Sequence, residues 1–164
     1  MAQTDYVSTD LIGVNFYQID TSPTQALNTE CKGKSATHGP CRMIYLKGVA
    51  STAEGSVVTF DEVGVTTALA ANAQGPVAVA LGATVANTYG WYQIGGKAAC
   101  LGAASSADNA DVGYEGAAFT VGDGRAAGDA IAGAMARSAT DTPTTGMIWV
   151  QLNGAPFVDD FQGA

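Results

Sequence analysis

The sequence predicts an all-β protein, a small β-barrel over residues 41–164 preceded by an extended N-terminal arm over residues 1–40. Three observations predict it. The stretch Tyr89 to Cys100 gathers Tyr89, Trp91, Tyr92 and Ile94 into the one dense aromatic cluster of an alanine- and glycine-rich chain. Aromatic and β-branched side chains suit a pleated, half-buried surface. Beyond Cys41, short apolar runs recur between Gly, Asn, Asp and Pro turn signals every ~8–12 residues, the spacing of barrels and sandwiches. Before Cys41, by contrast, the chain shows no sustained periodicity of either kind, and the alternative to an arm there is the first strand and loop of the barrel itself.

Taken in order, Asp10 to Asp20 is the one apolar run of the arm, with Leu11, Ile12, Val14, Phe16, Tyr17 and Ile19 able to form a strand. Ser22 to Leu27 has Pro23 placed to seed one helical turn, and Asn28 to Pro40 reads as loop. Strands are expected at Arg42–Val49, Ser56–Asp61 and Val77–Gly82, with Val63–Leu69 continuing the second or opening another. In the strand around Trp91, Trp91, Gln93 and Gly95 share one face and Tyr92, Ile94 and Gly96 the other. The double glycine there lets the backbone bend or a neighbour approach closely. Gly102–Gly113 reads as a loop that can hide one short strand, and Gly116–Val121 as a strand. Ala126–Ala136 is ambiguous because alanine favours helix, but Gly128 and Gly133 and its short-strand neighbours favour strand for Ile131–Ala136. Met147–Asn153 closes the fold, and Gly154–Ala164 is a polar tail apart from Phe157, Val158 and Phe161. The chain has no fixed-period repeat.

Composition narrows the function. Charged residues are 13% of the 164, about half the usual share, a composition found in subunits whose surface other chains cover and also in glycine-rich secreted proteins. In residues 1–50 the acids Asp5, Asp10, Asp20 and Glu30 balance Lys32, Lys34, Arg42 and Lys47. The whole net charge of −8 therefore falls in residues 51–164. Direct nucleic-acid binding, which needs clustered cations, is not expected. Neither a signal peptide nor an apolar run of membrane-spanning length is visible. Three widely spaced cysteines are no disulfide framework, so folding in a reducing cytoplasm is expected.

No constellation assembles an enzyme. Cys31, His38 and Cys41 form C-x6-H-x2-C, but zinc needs a fourth ligand and His38 is the sole histidine. Free thiols are the favoured reading over a Cys31–Cys41 disulfide. Asp108-Asn109-Ala110-Asp111 and Gly122-Asp123-Gly124 lack calcium-loop spacing and read as turns. The adjacent acids Asp61-Glu62 and Asp159-Asp160 point to opposite faces of any strand, unlike the facing pair of a glycosidase. No metal or cofactor is expected, and Trp91 and Trp149 are expected as core or interface anchors.

The succession Gly75-Pro76-Val77-Ala78-Val79-Ala80, Tyr89-Gly90-Trp91-Tyr92-Gln93-Ile94-Gly95-Gly96, Gly133-Ala134-Met135-Ala136, and Ile148-Trp149-Val150-Gln151-Leu152-Asn153 with Pro156-Phe157-Val158 resembles tailed-bacteriophage capsid decoration (cement) proteins. The resemblance covers roughly residues 75–158 and is a packing pattern, not a chemical signature. It implies a small barrel or β-tulip-like domain on the outer face of an icosahedral head, often a trimer, bridging subunits of the major capsid protein. It also implies an arm that lies along the shell, for which Leu11, Ile12, Val14, Phe16, Tyr17 and Ile19 are the residues able to add a strand. Trp91, Tyr92, Ile94, Ile148 and Trp149 would then hold the barrel. The competing expectation is a head-fibre or adhesin-type receptor- or glycan-binding module, which requires Trp91 or Trp149 to be exposed.

Overall fold

The computed structural model describes residues 5–158 and contains twelve strands and no helix among them. They are β1 (Val7–Ser8), β2 (Ile19–Asp20), β3 (Glu30–Ser35), β4 (Gly39–Lys47), β5 (Val57–Phe60), β6 (Thr66–Ala68), β7 (Gly75–Ala80), β8 (Tyr89–Leu101), β9 (Asp111–Tyr114), β10 (Val121–Gly122), β11 (Ala130–Ala136) and β12 (Met147–Val158). The protein is all-β, and its ladders are antiparallel.

The thirteen-residue β8 is the hinge of the architecture. Its first half pairs with β4, from Lys47↔Tyr89 to Arg42↔Gly95. Its second half pairs with β12, from Leu152↔Gly96 to Met147↔Leu101. β7 joins the two systems, with Val79 and Ala80 opposite Gln93 and Tyr92 of β8, and Gly75 and Pro76 opposite Val158 and Phe157 of β12. Outward from this three-strand junction, one side continues through β4 to β3 and β1, with β2 against the start of β8 and β5 and β6 beyond β7. The other side continues from β12 to β11, β9 and β10.

Physical chemistry places the bend at the double glycine. The register jumps from Arg42↔Gly95 to Met43↔Gln93, so Ile94 is the extra residue of a β-bulge. Gly96 has φ +91°, and a Cβ there would lie 2.5 Å from the Pro40 carbonyl oxygen. Only glycine accepts both that backbone and that approach.

Alternation along β8 buries both faces. Trp91 packs with Tyr6, Phe16, Met43 and Tyr45, while Tyr92 and Ile94 pack with Ile44, Leu46, Val58 and Ala78. Past the bulge, Ala98 and Cys100 enter a third cluster of mostly small aliphatic residues, including Val57, Val79, Ile148 and Val150. Such a doubly covered strand reads as a continuous apolar run, not as an alternating one.

Several expectations are corrected. The run from Asp10 to Ile19 is not a strand: bends and turns fill most of it, and only Ile19–Asp20 pair, with Gly90 and Tyr89. Ser22–Leu27 forms no helical turn, and Asn28–Pro40 is no loop, since it supplies β3 and the first residues of β4. β3 alternates exposed and buried over Glu-Cys-Lys-Gly-Lys-Ser, a pattern hidden because its buried positions are Cys31, Gly33 and Ser35 in place of large apolar residues. Gly116–Val121 is a turn around Phe119, whose φ is +71°, and leaves only Val121–Gly122 as β10. The closing strand does not stop at Asn153 but runs to Val158. Phe161 and the Asp159-Asp160 pair lie outside the described residues.

Candidate functional site

The segment expected as an arm is fastened to the body from residue 5 onward. Phe16 is buried edge-on against Trp91 (centroids 5.5 Å, planes at 75°), and Trp91 in turn meets Tyr45 edge-on at 5.3 Å. Edge-to-face pairs of this kind add about 0.5–1.5 kcal/mol each beyond area burial. Beside them, the buried Asp20 carboxylate accepts hydrogen bonds from the Tyr45 hydroxyl (2.5 Å), the Thr24 hydroxyl (2.7 Å) and the Gln18 amide (2.8 Å). Burial alone would raise the Asp20 pKa, but those three donors outweigh it and hold it below the ordinary carboxylate value. Further along, the Tyr6 hydroxyl donates to the Lys97 carbonyl, and the Ser35 hydroxyl donates to the Asp5 carboxylate.

The six residues named for shell binding therefore divide. Phe16 is core, and Leu11, Val14 and Tyr17 are half-buried against the same cluster. Ile12 is fully exposed and Ile19 is exposed. Ile12 sits on a turn, and with Val7 it gives this segment apolar side chains that face outward. The five anchors Trp91, Tyr92, Ile94, Ile148 and Trp149 are all buried.

Burial of both tryptophans bears on the glycan-binding expectation. Trp91 is 4% and Trp149 7% exposed, so neither presents an open ring face as a sugar platform. Trp149 is instead sandwiched in a chain of contacts. His38 lies against it with the rings tilted at 45° and their centroids 4.5 Å apart, the Lys97 ammonium lies 4.9 Å from its centroid, and Tyr6 lies 6.2 Å from His38. The sole histidine thus packs on an aromatic ring between the β3–β4 turn and β12.

Cys31 and Cys41 lie on the same hairpin, opposite Met43 and Gly33 respectively, and both are buried free thiols, as is Cys100. Burial, helped by the neighbouring Cys31, pushes the Cys41 thiol up to about 12, so it stays protonated and inert near neutral pH. Among the described residues no group of three or more His, Cys, Asp or Glu is arranged to hold a metal. The turn acids serve the backbone: Asp123 accepts from the Ala107 amide, Asp61 from the Val63 and Val65 amides, and Asp129 from the Asn72 amide. Asp61 thus closes its own turn, while Asp123 and Asp129 tie together loops distant in the chain.

Two surface grooves were not legible in the sequence. One, of about 620 Å³, has Ile44, Phe60, Val77, Ile94 and Pro156 in its lining and Asp61 and Glu62 beside them. The other, of about 600 Å³, is lined by Lys32, Lys34 and Arg42 with Gly96, Asn153 and Gly154. Their residues come from six strands, β3, β4, β5, β7, β8 and β12, and from positions far apart in the chain. The alternation of Lys32 and Lys34 was the one available signal. No family model, curated protein or solved structure matches this chain.

Proposed function

We propose that this protein is a structural component of a bacteriophage virion, decorating the outside of an icosahedral capsid and stabilising it by bridging major capsid protein subunits. The observation that carries this reading is spatial. The four stretches that resemble decoration proteins fall on β7, β8, β11 and β12, and these are successive neighbours: β7 pairs with β8 and β12, β8 with β12, and β12 with β11. A resemblance scattered along the chain thus coincides with one packed unit, as a shared packing pattern requires. Its three-strand junction is consistent with the barrel or β-tulip-like body that the resemblance implies.

Two further features support a role made of contacts. The chain carries little charge, and the segment before β3 turns Val7, Ile12 and Ile19 to solvent, where a shell can cover them. A protein that binds only the assembled shell stabilises it by mass action, with no reaction of its own. On the capsid it would act as a trimer, without cofactor, nucleic acid or membrane.

Co-sedimentation with phage heads stripped of their decoration tests the reading. Saturable binding to expanded heads, with raised head resistance to heat, is the expected result. Failure to bind any expanded head, or specific binding to cell-surface glycans without capsid, would overturn it.

A further inference from the structure

The two grooves adjoin at Arg42 and are treated together as one trough. They share Arg42, and they continue along the same strands, from Gly95–Gly96 to Ile94 on β8 and from Asn153–Gly154 to Pro156 on β12. The trough opens where β12 changes partners: its register with β8 ends at Leu152↔Gly96, and its register with β7 begins at Phe157↔Pro76.

Charge along the trough is graded. Lys32 stands directly opposite Arg42 on the β3–β4 ladder, and Lys34 lies two residues further along the same face. Like charges in directly opposed positions destabilise a sheet. The cationic end has no carboxylate in its lining, although the whole chain is acidic. Glu30, which lines the apolar groove beside Arg42, pairs with that guanidinium where the two grooves meet, and the Asp10 carboxylate accepts the Lys32 backbone amide. The Arg42–Glu30 pair is about half exposed on both sides, so it is weak and exchangeable. At the other end the floor is apolar, and Asp61 and Glu62 exclude a second set of carboxylates.

We propose that this trough binds an extended segment of a partner polypeptide, with two or more carboxylates over Lys32, Lys34 and Arg42 and a bulky apolar side chain among Ile44, Phe60 and Ile94. The occupant is identified by charge complementarity: anions relieve the opposed Lys32–Arg42 pair, and the acids at the far end fix which half of the segment goes where. A nucleic acid fits less well, because its charge is uniform and no aromatic ring lines the cationic end for bases to stack on. The inference deepens the decoration role by naming the chemistry of the surface that is gripped, and rests on it only in taking a protein as partner.

Fluorescence anisotropy on the full chain tests it, using a labelled Asp-Asp-Gly-Phe-Val-Phe peptide in low salt. Expected are saturable binding, weakening as salt rises, and a loss of about tenfold or more in the Lys32→Ser/Lys34→Ser variant. These two exposed side chains can be truncated with the fold intact, checked by near-ultraviolet circular dichroism. Equal binding of a Lys-Lys-Gly-Phe-Val-Phe peptide, tighter binding of oligo-dT, or no binding of the acidic peptide at millimolar concentration would each overturn the proposal. So would concentration-dependent self-association that the double substitution abolishes, which would assign the trough to a second copy. Head co-sedimentation of the same variant separates the two readings. Undiminished head binding with no peptide binding ends this inference and leaves the decoration role standing.

Discussion

The cluster around Trp91 and the cluster around Ile148 hold the same molecule together by different means. Around Trp91 a few large rings, Tyr6, Phe16 and Tyr45, close over β4 and β8, and a buried carboxylate with three donors fastens the N-terminal segment to them. Around Ile148 some fifteen buried residues, nearly all Val, Ala, Leu or Ile, fill the space between β7, β12, β11 and β9 with no aromatic ring among them. The first region concentrates its stability in few contacts, so one truncation is costly and local. The second spreads it over many small ones, so each loss is modest.

Trp91→Ala is the most severe test of that contrast. It removes the partner of both Phe16 and Tyr45 and should cost about 3–5 kcal/mol in chemical denaturation. Limited proteolysis should then cut first between residues 5 and 30, and uniform cleavage along the chain would show that the segment is not separately held. Gly96→Val comes next. A branched side chain at φ +91° in contact with the Pro40 carbonyl combines backbone strain with overpacking, roughly 2–4 kcal/mol together. Unchanged stability would show that the bend of β8 does not depend on this glycine.

Asp20→Asn sharpens the comparison through pH. The native carboxylate has its pKa lowered, so the stability it contributes is fully present above the unfolded-state value of about 3.9 and is lost as pH falls through the native value. The variant should be less stable by about 1–3 kcal/mol at pH 7. The gap should narrow as pH falls below the unfolded-state value, as measured by urea midpoints at pH 7 and pH 3. A gap that stays constant would mean that the charge of Asp20 contributes nothing. The smallest effect belongs to the aliphatic cluster: Ile148→Val should lower stability by only about 0.5–1.5 kcal/mol, with no change in the proteolysis of residues 5–30.

Some features were readable because they rest on local chemistry. The strand at Tyr89–Cys100, its two faces and its bend follow from side-chain type, a period of two and a pair of glycines, and all three reappear in β8. The strand over Ile131–Ala136 also followed, against the helix preference of alanine, and β11 covers it. β3 escaped notice because a strand whose buried face is Cys31, Gly33 and Ser35 carries almost no hydropathy signal. It buries Gly33 because the space is already taken: a Cβ there would lie 2.7 Å from the Phe16 ring.

The sequence by itself determined the all-β class, the doubly buried strand at Trp91 and the uneven charge of the two parts of the chain, since each depends only on residue identity and near-neighbour spacing. Tertiary structure alone decided that residues 5–40 lie against the body and that the groove of Lys32, Lys34 and Arg42 adjoins, at Arg42, the groove of Ile94 and Pro156. Those outcomes depend on which distant strands β8 accepts on either side of its bend. That choice is made by packing between residues far apart in the chain, such as His38 against Trp149, which no local pattern encodes.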